Sequence, residues 1–134
     1  MHPDQFQTRL LRDYPDLRER LIAQSQAGPS ATLLDSGAVI ASFGLCPLHF
    51  GVAEGWLWRD ETRSRKKIVT YARLARRVFT EMATTMRLHR AQIQVNSHNI
   101  DGIRFAEWLK FKREGLLHAY GPDKCDYLIF GRIF

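Results

Sequence analysis

Glycine is missing from Trp56 through Asp101, so no glycine-rich phosphate loop lies in that stretch. Nowhere does the chain carry a Gly-x-Ser-x-Gly nucleophile elbow or a P-loop. Cysteine is scarce. Cys46 and Cys125 are too few for a disulfide framework, and free thiols in a cytoplasmic setting are expected. The histidines (His2, His49, His89, His98, His118) and the two cysteines lack the spacing of metal ligands. No apolar run approaches the ~20 residues of a membrane helix, and Met1-His2-Pro3-Asp4 does not open a signal peptide. Internal repeats and low-complexity tracts are absent too. Negative charge is in short supply: 14 acidic residues face 20 basic ones, a net charge of +6. That excess favours anionic partners, among them coenzyme phosphates, nucleic acid or an acidic protein surface.

What is present fits one domain over residues 1–134, with 45% hydrophobic residues to build a single core. Residues 4–27 read as helical. Phe6, Leu10 and Leu11 share one face and Leu17, Leu21 and Ile22 another, and Pro15 between them predicts two short helices or a kink. Ala31–Leu34 and Ala38–Leu45 read as strands joined by the hairpin signal Asp35-Ser36-Gly37. Residues 46–51 read as a loop, and Val52–Arg59 as a further strand with Trp56 and Trp58 on one face. Asp60–Lys67 (DETRSRKK) reads as a polar, basic loop. A long amphipathic helix follows over about 68–88, its stripe formed by Tyr71, Ala75, Val78, Phe79, Met82 and Met86.

The central stretch is Ala91–Gly115. Gln92–Asn96 alternates polar and apolar, as a strand does. Ser97, His98 and Asn99 break that pattern and offer helix caps, with Asp101 in the first turn. Ile103, Ala106 and Leu109 recur at helical spacing, and Lys112-Arg113-Glu114-Gly115 leads into new strand sequence. Leu116–Tyr120 and Cys125–Phe130 read as a hairpin around Gly121-Pro122-Asp123-Lys124.

This order, with these residues, resembles the C-terminal half of the GCN5-related N-acetyltransferase (GNAT) superfamily. There Asn-x-x-small-x-x-x-Tyr-x-x-x-Gly-Phe follows the fifth strand, often with a Glu-Gly pair behind it. Asn99, Gly102, Phe111 and Glu114-Gly115 match, whereas Ala106 stands at the tyrosine position and Lys110 at the glycine. The resemblance covers roughly residues 31–134 and is nearest to the small acetyltransferase-like proteins of tailed phages, some of them virion components. It implies an α+β fold: a mixed, mainly antiparallel sheet flanked by helices and splayed between its fourth and fifth strands. The family's first strand has no counterpart in the helical N-terminal segment.

The resemblance also implies a site for acetyl-CoA and an amine substrate. The pantetheine arm would lie along the fourth strand, at Leu57 and Arg59, with Asn99 opposite. The pyrophosphate would sit at the loop after that strand. Here Arg63, Arg65, Lys66 and Lys67 take the position that glycines hold in the family, and side chains would replace backbone amides. Glu54 is the candidate general base, set between strand neighbours that shield it, and His49 is the alternative. Tyr120, Tyr71 or water would replace the family's tyrosine acid. The changed loop, the missing tyrosine and the missing strand motivate a competing reading, a catalytically lapsed scaffold with protein partners in a viral assembly, in the host cytoplasm or a virion. A nucleic-acid-binding module would rest on Arg73, Arg76, Arg77, Arg87 and Arg90. The basic runs carry few aromatics, which argues against it.

Overall fold

The computed structural model of the chain describes residues 11–134, without the side chains of Glu61, Ser64 and Lys66. The expected face of Phe6 and Leu10 lies outside the described residues. Helical backbone at 11–13 breaks at Tyr14-Pro15, and helix α1 (Asp16–Gln26) starts directly after the proline. That is the helix end at which proline's missing N–H is harmless. Leu17 and Leu21 of α1 are half-buried, Ile22 is exposed, and no residue of α1 is fully buried. The helix therefore covers its side of the sheet incompletely.

The strands are β1 (Ser30–Asp35), β2 (Ala38–His49), β3 (Val52–Arg59), β4 (Arg90–Asn96), β5 (Lys112–Leu117) and β6 (Tyr127–Ile133). They form one sheet in the order β1-β2-β3-β4-β6-β5. Every neighbour pair is antiparallel except β3 and β4. Among the described residues no strand precedes Ser30. The β1–β2 hairpin turns on Ser36 and Gly37, both at positive φ (50° and 80°), the tight two-residue geometry that glycine eases.

Several expected boundaries move. Cys46-Pro47-Leu48-His49, expected as loop, continues β2 and pairs with β3 from Cys46↔Glu54 to His49↔Val52, with a bulge after Pro47. β1 reaches only Gly44, so β2 has no partner on that side at Pro47, where a proline does no harm. The expected basic loop is instead largely helical. It forms one-turn helix α2 (Glu61–Ser64), a 3₁₀ turn (Arg65–Lys67), then helix α3 (Ile68–Thr85). Asp60 causes this, because its carboxylate accepts the Arg63 N–H at 2.9 Å and caps the first turn. α3 stops earlier than its apolar pattern, at Thr85. Arg87 turns left-handed (φ 54°) and the Leu88 N–H returns to the Ala83 carbonyl. Helix α4 (Ile100–Trp108) is capped by Asn99, whose Oδ1 accepts the Gly102 N–H at 3.0 Å. Lys112–Gly115, expected as lead-in, already belongs to β5. The β5–β6 connection is longer than expected, although its turn at Gly121–Lys124 is present, with Lys124 N–H on the Gly121 carbonyl.

The main core lies between the sheet and α3 and α4. Phe43 and Leu45 of β2 meet Phe79 of α3, and Phe111 stands edge-on to Phe79 with ring centres 5.6 Å apart. The Trp108 indole of α4 donates to the Ala72 carbonyl of α3 at 3.2 Å and ties the two helices.

Candidate active site

β3 and β4 run side by side over only three residue pairs: Val52↔Arg90, Ala53↔Ala91 and Glu54↔Gln92. Beyond Glu54 they part. Each is held by its outer neighbour: β3 pairs with β2 as far as Arg59, and β4 pairs with β6 along its whole length. Two complete outer ladders thus hold open a fork between two inner strands. At its crotch sits Gly55. A Cβ there would lie 2.8 Å from Ile93 Cγ2, so the close approach at the fork needs a glycine. The edge of β3 from Gly55 to Arg59 looks into the gap.

The fork opens into a cavity of about 780 Å³ that runs between the strands and beneath α1. That volume is in the range of small-molecule sites. Strand alternation puts Glu54, Trp56 and Trp58 on the α1 side of β3. There Gln24 Nε2 comes within 3.5 Å of Glu54 Oε2. The Trp56 indole lies across the buried backbone of Gly44, where any side chain would collide with it. Across the cavity stands Tyr120, in the β5–β6 connection, its ring edge-on to Tyr127 at 5.4 Å. Tyr120 stays 54% exposed; its partial burial first, then the Glu54 carboxylate, push the phenol above its ordinary value. The other candidate phenol, Tyr71, donates to Asp35 at 2.7 Å and is committed there.

At the far end, Arg59 and Asp101 form an ion pair of 3.5 Å that joins the end of β3 to the start of α4. Arg65 and Arg104 line the cavity too. Of the residues singled out from the sequence, Glu54, Leu57, Arg59, Arg65 and Asn99 come together in the cavity lining. Arg63 and Lys67 do not line it: Arg63 reaches the buried Asp60 (3.6 Å) and Lys67 reaches Asp35 (3.3 Å). The Lys66 side chain lies outside the described residues. His49 is exposed at the end of β2 and does not line the cavity either. Asn99 acts as the cap of α4 and lines the cavity as well.

Sequence reasoning missed Gln24, Arg104 and the Arg59–Asp101 pair, which carry no local motif. Arg73, Arg76 and Arg77 gather with Lys110 and Arg132 along a shallow groove over α3, with Arg76 stacked on Trp108 at 4.9 Å. Arg90 is instead forked onto Glu114 at 2.8 and 2.9 Å.

No protein-family model and no curated protein matches the sequence. Solved structures do match the fold. A ribosomal-protein-alanine N-acetyltransferase from Brucella melitensis matches with a TM-score of 0.70 at 16% identity, over 90% of this chain and 78% of that one. A point mutant of spermidine N-acetyltransferase SpeG from Vibrio cholerae matches with a TM-score of 0.68 at 17% identity, over 91% and 74%. The yncA protein of Salmonella typhimurium, assigned as an acetyltransferase and solved with its cofactor acetyl-CoA, gives 0.70 at 14% identity, over 89% and 72%. The fold is therefore that of the GNAT acetyltransferases.

Proposed function

We propose that this chain is an acetyltransferase that moves the acetyl group of acetyl-CoA onto an amine. The observation that carries the reading is the parting of β3 and β4 after Glu54, which exposes a strand edge in a cavity with a carboxylate at one end and arginines at the other. The residues fit such a cofactor. The edge of β3 offers main-chain groups to an extended arm, and Arg59 and Arg65 supply positive charge where phosphates would rest. Acetyl-CoA bound there supplies an acetyl group activated as a thioester.

The chain's own part is positioning and proton transfer. Glu54 accepts a proton from the incoming ammonium, freeing the nitrogen lone pair. The nitrogen bonds to the acetyl carbon as the carbon–sulfur bond breaks. Backbone N–H groups of β3 steady the carbonyl oxygen while negative charge builds on it. The departing sulfur would take a proton from Tyr120, which replaces the tyrosine that Ala106 cannot supply; the acetylated nitrogen would return its second proton to the Tyr120 oxygen, and Glu54 would release the first to water. Thiol release from acetyl-CoA across a panel of amines, beside calorimetry with coenzyme, tests this reading. Heat of binding with amine-dependent thiol release is expected. No coenzyme binding at millimolar concentration would leave only a scaffold role, with protein partners in place of substrates.

A further inference from the structure

The amine half of the cavity has a composition that selects its substrate. On the α1 side of the fork, the walls are Leu17, Leu21, Trp56, Trp58, Tyr120 and Tyr127. Only two carboxylates line the whole cavity among the described residues, Glu54 and Asp101, and Asp101 is paired with Arg59 at the other end. Three arginines, Arg59, Arg65 and Arg104, line the same space. A polyamine carries two or more ammonium groups, and each needs an acidic partner once it leaves water. Here a second ammonium would meet aromatic walls, the neutral amides of Gln24, Gln94 and Asn96, which bring no negative charge, or guanidinium groups, which repel it. A single ammonium, in contrast, finds its carboxylate partner in Glu54. The remaining volume is mainly apolar, with Gln24, Gln94 and Asn96 among its uncharged polar members. That space rewards an aromatic or bulky aliphatic body.

Resting on the acetyl-transfer reading, we infer that the acceptor is a primary monoamine bearing an aromatic or bulky apolar group, and that polyamines are excluded. The nitrogen sits at Glu54, and the body lies between the two tryptophans and the Tyr120–Tyr127 pair.

The test compares 2-phenylethylamine with ethylamine and spermidine. In acetyl transfer, kcat/KM for 2-phenylethylamine is expected to exceed that for either competitor by about 100-fold, the order that several buried methylene equivalents supply. Trp56→Ala is expected to lower kcat/KM for 2-phenylethylamine about tenfold more than for ethylamine, since truncating one wall removes only contacts to the apolar body. A second measurement needs neither variant nor coenzyme: titration of each amine into the native chain, read by tryptophan fluorescence. A saturable change with 2-phenylethylamine and none with spermidine is expected. Spermidine or ethylamine turned over as well as 2-phenylethylamine would overturn this inference and leave acetyl transfer intact. Selective binding of 2-phenylethylamine with no turnover of any amine would sustain the pocket's selectivity and bring down acetyl transfer instead. No response to 2-phenylethylamine in either assay would overturn the inference.

Discussion

At the scale of single residues, the division of labour between Glu54 and Tyr120 is the sharpest claim. Glu54→Gln keeps the shape and removes the proton acceptor. It should lower kcat by ~10²–10⁴-fold, as loss of a general base does, with coenzyme affinity by calorimetry unchanged. Tyr120→Phe should lower kcat by only about tenfold, because a thiolate leaves tolerably well without a proton. The place of Glu54 in the cavity was expected from the family resemblance, which sets a carboxylate on this strand. Tyr120 was one of three options beside Tyr71 and water, and nothing local selected it, because its place depends on how the β5–β6 connection folds back over the sheet. The basic loop misled for a related reason. Arg63, Arg65 and Lys67 look alike as charges, but Asp60 and Asp35 hold two of them, and those acids are distant from the loop's pattern or hidden as its cap. Arg90 and Glu114 give a test of stability. The guanidinium fork holds the Glu114 carboxyl below its ordinary value of 4.5. A depressed folded value stabilises fully above pH 4.5, and the contribution disappears as pH falls through the lower folded value. Glu114→Gln should therefore lower stability by about 0.5–1 kcal/mol near neutrality, a partly exposed pair being worth no more. The gap in melting temperature between the two proteins should close in acid.

Among elements, β3 and β4 matter most, and the fork that their outer ladders hold open is tightest at Gly55. Gly55→Val would put a methyl-bearing carbon 2.8 Å from Ile93 Cγ2, so Ile93 must swing into the gap. Overpacking of this kind costs about 1–3 kcal/mol. Thermal melting should register that loss, and calorimetry should register a weaker coenzyme as the fork narrows. An unchanged coenzyme affinity in a folded Gly55→Val protein would mean that the fork does not hold the arm. Most of the elements flanking the fork could be read in advance, because their alternating or helical apolar spacing is strong: β3 matched its expected bounds, and α3 and β4 came close. The end of β2 could not. Cys46-Pro47-Leu48-His49 has a proline and no alternation, and only pairing with β3 on one side makes it strand. The divergence itself is invisible in sequence, since it follows from each inner strand choosing its outer neighbour.

Seen whole, the molecule has a cavity with unlike ends, and that asymmetry can be measured without catalysis. The end proposed for the coenzyme would draw on Arg59, Arg65 and Arg104, which line the cavity of a chain of net charge +6. Attraction of an anion to partly exposed guanidinium groups weakens as salt shortens the screening length from ~30 Å at 0.01 M to ~3 Å at 1 M. The amine end is apolar with one carboxylate, and burial of a ring against indoles hardly responds to moderate salt. Raising potassium chloride from low to half-molar concentration should therefore weaken acetyl-CoA binding several-fold by calorimetry, on the order expected for a few screened charge contacts. The fluorescence titration with 2-phenylethylamine should move far less over the same range. Equal salt responses would mean that both ligands meet the same environment, and the two-ended cavity would not describe how the chain binds them. A coenzyme affinity indifferent to salt would carry a narrower message. The arginines would then be spent on their own carboxylates, as Arg59 is on Asp101, and the arm would be held by the edge of β3 alone.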